Sequence, residues 1–221
     1  MIKIDRLGHS GDGIAAGPIY VPRTLPGEEV GGEIVSDRID APKILVPSPD
    51  RIKPQCPAYQ RCGGCALHHA KPEFVSHWKA SVVTQALASH GINMDVRHLH
   101  ASPANSRRRA KLSGRRTKKG ATVGFFAPRS DVLHDITGCL TLTQGILALI
   151  PKLEQFTTAF GSRKGTLQFW ILETETGMDV AVDGLIEVER KFPDLVQWAH
   201  TAKVARLSAY DDVIVTLTEP R

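Results

Sequence analysis

The residues with the most chemistry in their spacing are the chain's four cysteines. Three of them, with two histidines, fall within CPAYQRCGGCALHH, Cys56 to His69; the fourth, Cys139, lies far downstream. Three chemistries compete for Cys56, Cys62, Cys65 and Cys139. Two disulfides would pair them in one of three ways. The N-terminus MIKIDRLGHSGDG has no apolar stretch after a basic start, however, and a reducing compartment keeps thiols reduced or metal-bound. Structural zinc takes cysteines as two close pairs, because two intervening residues let one turn present two thiolates to a tetrahedral ion. Cys62 and Cys65 make one such pair, without a second. An iron–sulfur cubane is wider than a single ion, so its ligands tolerate unequal spacing, and three clustered cysteines plus a distant one suit it. Gly63 and Gly64 agree with this, since chain wrapped around a bulky anion needs permissive φ and close backbone approach. Spacing and ligand softness favour a cluster over zinc. His68 and His69 read as hydrogen-bonding neighbours of such a site rather than its ligands.

The second chemical feature is charge. From Val96 to Ser130 there are ten Lys or Arg and no Asp or Glu. The other 18 basic residues face 23 acidic ones, so this one segment supplies the whole positive excess of +5. Its densest part holds Arg107, Arg108, Arg109, Lys111, Arg115, Arg116, Lys118 and Lys119 within thirteen residues. A solvated hairpin with a charged tip would explain some of this. Phosphate contact explains more, because clustered cations on a polyanion release counterions. Strand alternation would set Arg107, Arg109 and Lys111 on one face, opposite Arg108, Ala110 and Leu112. Phe125 and Phe126 follow closely; base stacking is open to them, one of the two fits the core better, and neither is singled out as an RNA contact.

The elements that must position these residues are legible in outline. Residues 1 to about 45 read as short strands between glycines and prolines, with Pro26-Gly27 as a turn, which suggests a small antiparallel barrel. Lys43 to Pro57 reads as a stiff proline-rich connector. Pro72 to His90 is helical, with Phe74, Trp78, Val82, Ala86 and Leu87 at three- or four-residue steps. Arg107 to Ala127 is a strand, a basic turn and a strand. Thr143 to Phe160 is helical, with a kink or break expected at Pro151. Strand-like runs follow in TLQFWILET and MDVAVDGLIEV, and then in KVARLSAY and DVIVTLTE. The composition, 42% apolar and 23% charged, is that of a soluble globular protein, and no apolar run approaches a bilayer span. A cytoplasmic protein with no membrane contact is expected.

The string CPAYQRCGGCALHHA, Trp78-Lys79, RRRAKLSG and DITGCLTLT together resemble the RNA uracil-5-methyltransferases of the 23S ribosomal RNA type. The resemblance implies a 4Fe–4S cluster on Cys56, Cys62, Cys65 and Cys139. GHSGDGIA and VPRTLPGE look like that family's TRAM domain, an OB-like RNA-binding β-barrel. Two domains follow from it: residues 1–52 as the barrel, and residues 53–221 as an α+β iron–sulfur and RNA-binding domain. Members of the family add a Rossmann-like domain that binds S-adenosylmethionine and carries a catalytic cysteine. Here no glycine-rich strand–turn–helix stands near the end, and a cluster would occupy all four cysteines. The sequence therefore predicts a fold without a Rossmann-like part. It also predicts no catalytic or cofactor-binding residue of its own, and no methyl transfer by these 221 residues alone; S-adenosylmethionine would serve only the full-length enzyme. The ending reads as cut. RNA, ribosomal RNA first, is the expected partner of a monomeric protein. The alternatives are a stand-alone RNA-binding protein with a cluster or zinc staple, and an electron-transfer or redox-sensing protein.

Overall fold

A computed structural model of the chain describes residues 1–97, 99–209 and 212–221. The chain forms two compact units, residues 1–55 with 65–101, and residues 56–64 with 102–221. The sequence reading draws its boundary at residue 52.

In the first unit, β1 (Ile2–Leu7) is the centre of a five-stranded sheet with β2 (Gly13–Ala15), β3 (Ile19–Val21), β4 (Glu29–Gly31) and β5 (Lys43–Val46), in the order β3-β2-β1-β4-β5. Every pairing is antiparallel. Ile4, Ala15, Val21, Val30 and Ile39 form its core. The expected barrel is corrected to an open sheet: β3 and β5 are its two edges and are not paired to each other. The expected connector also begins as a strand, since β5 pairs with β4 before the prolines end the ladder. GHSGDG is the β1–β2 hairpin turn; Gly11 has φ +87°, and the Gly8 N–H bonds the Asp12 carbonyl at 2.8 Å. Strand follows it, not helix, which leaves no phosphate-binding loop there.

Helix α1 (Pro72–Ala88) starts with proline at its first turn, where the missing N–H costs nothing. Its periodic apolar residues predict a packed stripe, yet none of the helix is buried.

The second unit is a seven-stranded sheet in the order β12-β11-β10-β9-β6-β7-β8. Its strands are β6 (Arg109–Thr117), β7 (Gly120–Phe126), β8 (Leu133–Asp135), β9 (Leu167–Thr174), β10 (Gly177–Asp183), β11 (Arg206–Ala209) and β12 (Asp212–Thr216). The sheet is mixed. β10 and β11 run parallel and are joined through α3 (Val188–Ala202), a βαβ crossover that the sequence reading does not contain. The reading pairs KVARLSAY with DVIVTLTE; this is the β11–β12 pair, and Tyr210 of that run lies outside the described residues. Helix α2 (Gln144–Phe160) lays Ile146, Leu149, Ile150, Leu153, Phe156 and Phe160 into the core, capped by the Thr143 hydroxyl on the Ile146 N–H. It runs unbroken through Pro151, against the expected break, because its buried stripe holds both halves to the sheet. Phe156 meets Phe169 and Trp198 edge-on, at centroid distances of 5.7 and 4.8 Å.

Candidate cysteine centre and nucleic-acid interface

The two cysteine segments of the second unit attach to the two ends of the β6–β7 hairpin. At the far end of β7, the Gly63 N–H donates to the Phe126 carbonyl at 2.9 Å. A Cβ on Gly63 would sit 2.7 Å from that oxygen and 3.2 Å from the Pro128 nitrogen. A Cβ on Gly64 would meet the Phe125 ring at 3.0 Å. Neither glycine has positive φ, so close approach alone accounts for them, not the permissive φ expected from sequence. At the entrance to β6, the Arg107 N–H donates to the Thr141 carbonyl and the Thr143 N–H to the Arg107 carbonyl. The Asn105 side chain donates to the Leu142 carbonyl at 2.9 Å and the Cys139 carbonyl at 3.4 Å.

Cys62 and Cys139 are half-buried and, like Phe125, pack against the apolar core of the second unit. The Gly64 N–H points at the Cys62 Sγ at 3.3 Å, the kind of amide donor that stabilises a thiolate. The Cys139 Sγ lies 3.2 Å from the Thr141 hydroxyl. Pro57, next to Cys56, lies 3.4 Å from where a Cβ on Gly138, next to Cys139, would stand. Cys65 is likewise half-buried, and no disulfide joins any of the four. Among the described residues no group of three or more His, Cys, Asp or Glu is gathered to hold a metal ion. The donors fit a cluster in type: four free thiols, and an amide aimed at one sulfur.

His69 is buried in the first unit, hydrogen-bonded to the backbone of Thr24. Burial, and then the Arg51 guanidinium, push its pKa down to about 4, so it is neutral at neutral pH. Below it Glu28 is fully buried, accepting from the Leu25 N–H, the Ser48 N–H and two nitrogens of Arg51. Burial alone would raise the Glu28 pKa; Arg51 and the two amides outweigh it and hold the carboxyl below its usual range. The Ile52 N–H donates to the His69 carbonyl and the Lys71 N–H to the Asp50 carbonyl, so this network fastens the chain that follows Cys65.

The eight basic residues sort into three groups. Arg107 and Arg108 are exposed at the entrance to β6. Arg109, Lys111 and Arg115 lie on the sheet face opposite the helices, because Ala110, Leu112 and Gly114 point inward. There Lys111 Nζ stands 4.6 Å from the centre of the Trp170 ring, and the Arg115 guanidinium 5.7 Å from that of Phe126. Arg116 reaches the Gly161 carbonyl at the end of α2 and, with Lys118, Lys119 and Arg163, lines an open depression of about 710 Å³ that contains no acidic residue. Of the two phenylalanines, Phe125 packs on the core and Phe126 lies under Arg115. Sequence reasoning missed Trp170 and Arg163. The first was detectable, since alternation with Leu167, Phe169 and Ile171 sets Trp170 on the outer face; the second joins the others only through the fold.

No family model matches the chain. It is 35% identical to an uncharacterized RNA methyltransferase of Brucella suis over 99% of this chain and 54% of that protein. A relative of the same description from Caulobacter vibrioides is 36% identical over 86% of this chain and 47% of its own length. A 23S rRNA (uracil(1939)-C(5))-methyltransferase of Vibrio parahaemolyticus is 32% identical over 72% of this chain and 39% of its own. The chain is thus homologous to RNA methyltransferases and spans about half the length of the curated relatives it matches. Among solved structures, the Pyrococcus abyssi tRNA (uracil-54, C5)-methyltransferase, in complex with S-adenosyl-L-homocysteine, has a similar fold. The TM-score is 0.58 at 21% identity, over 94% of this chain and 50% of that one. This likeness corrects the expected fold, a small OB-like barrel and an α+β domain without any Rossmann-like part. What aligns with the methyltransferase is an open antiparallel sheet and a mixed, helix-covered sheet with a parallel βαβ crossover.

Proposed function

We propose that this chain is the RNA-binding and 4Fe–4S-binding portion of an S-adenosylmethionine-dependent RNA uracil-C5 methyltransferase, acting on ribosomal RNA in the cytoplasm. The homology to RNA methyltransferases supports the reaction class, and the name of the Vibrio relative supports the base and the RNA. The observation that carries the reading is the hydrogen bonding of both cysteine segments, through Gly63 and through residues 141–143, to the two ends of the basic hairpin.

Cys56, Cys62, Cys65 and Cys139 are the ligands in this reading. A cluster bound there supplies covalent cross-links between stretches of chain far apart in sequence, and so fixes the hairpin's ends. The chain's own residues do the rest. Gly63 lets the cysteine loop lie against β7, Asn105 ties the entrance of β6 to the Cys139 segment, and the cations bind phosphate. Uracil-C5 methylation in the family this chain resembles needs a free thiolate to add to C6 of the base. With all four thiols on the cluster, none is left for that role, so these 221 residues bind RNA without transferring a methyl group.

Anaerobic purification followed by iron, sulfide and zinc analysis tests the ligand set. Four iron and four sulfide per chain are expected, falling sharply in Cys139→Ser; one zinc and no sulfide refutes the cluster. Methyl transfer from S-adenosylmethionine to uridine-containing RNA by the purified chain would refute the division of labour.

A further inference from the structure

We infer that the open face of the seven-stranded sheet is a stacking platform for unpaired RNA, with Trp170 and Phe126 as the surfaces on which two bases rest. This rests on the RNA-binding reading above and names the form of RNA that the face takes.

Trp170 is 42% exposed, at a strand position that points away from α2 and α3, whereas Trp198 is packed against Phe156. Lys111 is its cross-strand partner in register, and its ammonium stands over the indole face. Four residues further along β6, on the same side, Arg115 covers Phe126. Strand rise separates the Cα atoms of Lys111 and Arg115 by roughly 13 Å. Between them on β6, the Ser113 hydroxyl donates to the Gln168 side-chain oxygen at 2.9 Å, which fixes the Gln168 amide beside Trp170 on β9.

Charge identifies the occupant. β6 carries no acidic residue. On β10, Asp179 holds Arg206 through two bonds and Asp183, the register partner of Gln168, accepts from the Gly184 N–H, while Asp131 lies 4.0 Å from Arg115. A polyanion that also offers flat apolar faces matches such a surface. A duplex satisfies the charge and not the rings, because its base faces are buried in its own stack and an A-form major groove is too narrow for side chains to read. An unpaired stretch satisfies both. Its bases take over the ring faces, and Lys111 and Arg115 swing to the phosphates. Surface packing alone would explain a single cation over a ring; it does not explain two on one face of the most basic strand.

The test compares the purified chain with a short unstructured RNA oligonucleotide and with the same strand annealed to its complement, by fluorescence anisotropy at fixed salt. The single strand is expected to bind more tightly and to quench tryptophan emission. Trp170→Ala is expected to weaken single-strand binding about fivefold or more and to leave duplex binding within about twofold. Trp170→Phe, which keeps a flat ring and tests for misfolding, should retain most of the affinity. Equal affinity for both forms, unchanged in Trp170→Ala, overturns the stacking platform while leaving RNA binding standing. Absence of binding to either form overturns the RNA reading itself.

Discussion

The buried His69 makes the first unit's stability depend on pH in a window that can be calculated. Folded, His69 binds a proton only near pH 4; unfolded, it does so near the usual 6.5. Between those values the unfolded chain holds more protons, so stability rises with pH across the window. As pH falls from 6.5 to 4, the loss runs at about 1.4 kcal/mol per pH unit and reaches about 3 kcal/mol. Glu28 acts in a separate window. Its carboxyl is held below 4.5, so its contribution is complete above that value and lost as pH falls beneath it. Measurements at pH 7.5 and 5.0 therefore isolate the histidine. The perturbation is His69→Gln. The assay is urea unfolding followed through Trp78, the single tryptophan of that unit, with Trp170 and Trp198 replaced by phenylalanine. Between the two pH values the parent should lose about 2 kcal/mol more than the variant. Equal losses would refute the argument that a neutral, desolvated imidazole fastens the chain after Cys65.

Arg51→Met should destabilise the first unit by about 3–5 kcal/mol, since it strands the Glu28 charge in the core, and Glu28→Gln in the same chain should recover much of that in the denaturation midpoint. Gly63→Ala should lower the thermal midpoint by an amount corresponding to about 1–3 kcal/mol and reduce bound iron, because the new methyl meets the Phe126 carbonyl; an unchanged melting curve would show that the loop is not held there. Lys118→Ala with Lys119→Ala should reduce the slope of log affinity against log salt for single-stranded RNA by about 1.4, and an unaltered slope would remove the hairpin tip from the interface.

What the sequence made legible followed from period and punctuation. The six apolar residues of α2 and the alternation of β6 carry their own geometry, and the structure keeps both. Pro151 misled because a local rule about a missing N–H yields to a stripe that buries on both sides of it. The stripe of α1 misled in the opposite sense: its spacing is that of a packed helix, and burial depends on a partner surface that periodicity does not describe. The barrel failed at one pairing, β3 with β5, which depends on loop paths between short strands rather than on the strands themselves. For the site, residue type and charge density singled out the cysteines and the basic run. Neither the attachment of Gly63 to β7 nor the place of Arg163 beside Lys118 could be read, since each is a long-range contact made by the finished sheet.

The strand order also bears on how the protein is made. β6 lies inside the sheet, yet one of its neighbours, β9, begins about fifty residues after β6 ends. At synthesis rates of about 5–20 residues per second, the β6–β7 hairpin leaves the ribosome several seconds before β9 can cover its second side. During that interval an interior strand has a bare edge, the kind that recruits other chains into aggregates. Lysine and arginine on such an edge repel a second copy. The charges proposed to bind a nucleic acid would thus also set like charge against like on the bare edge of the nascent hairpin.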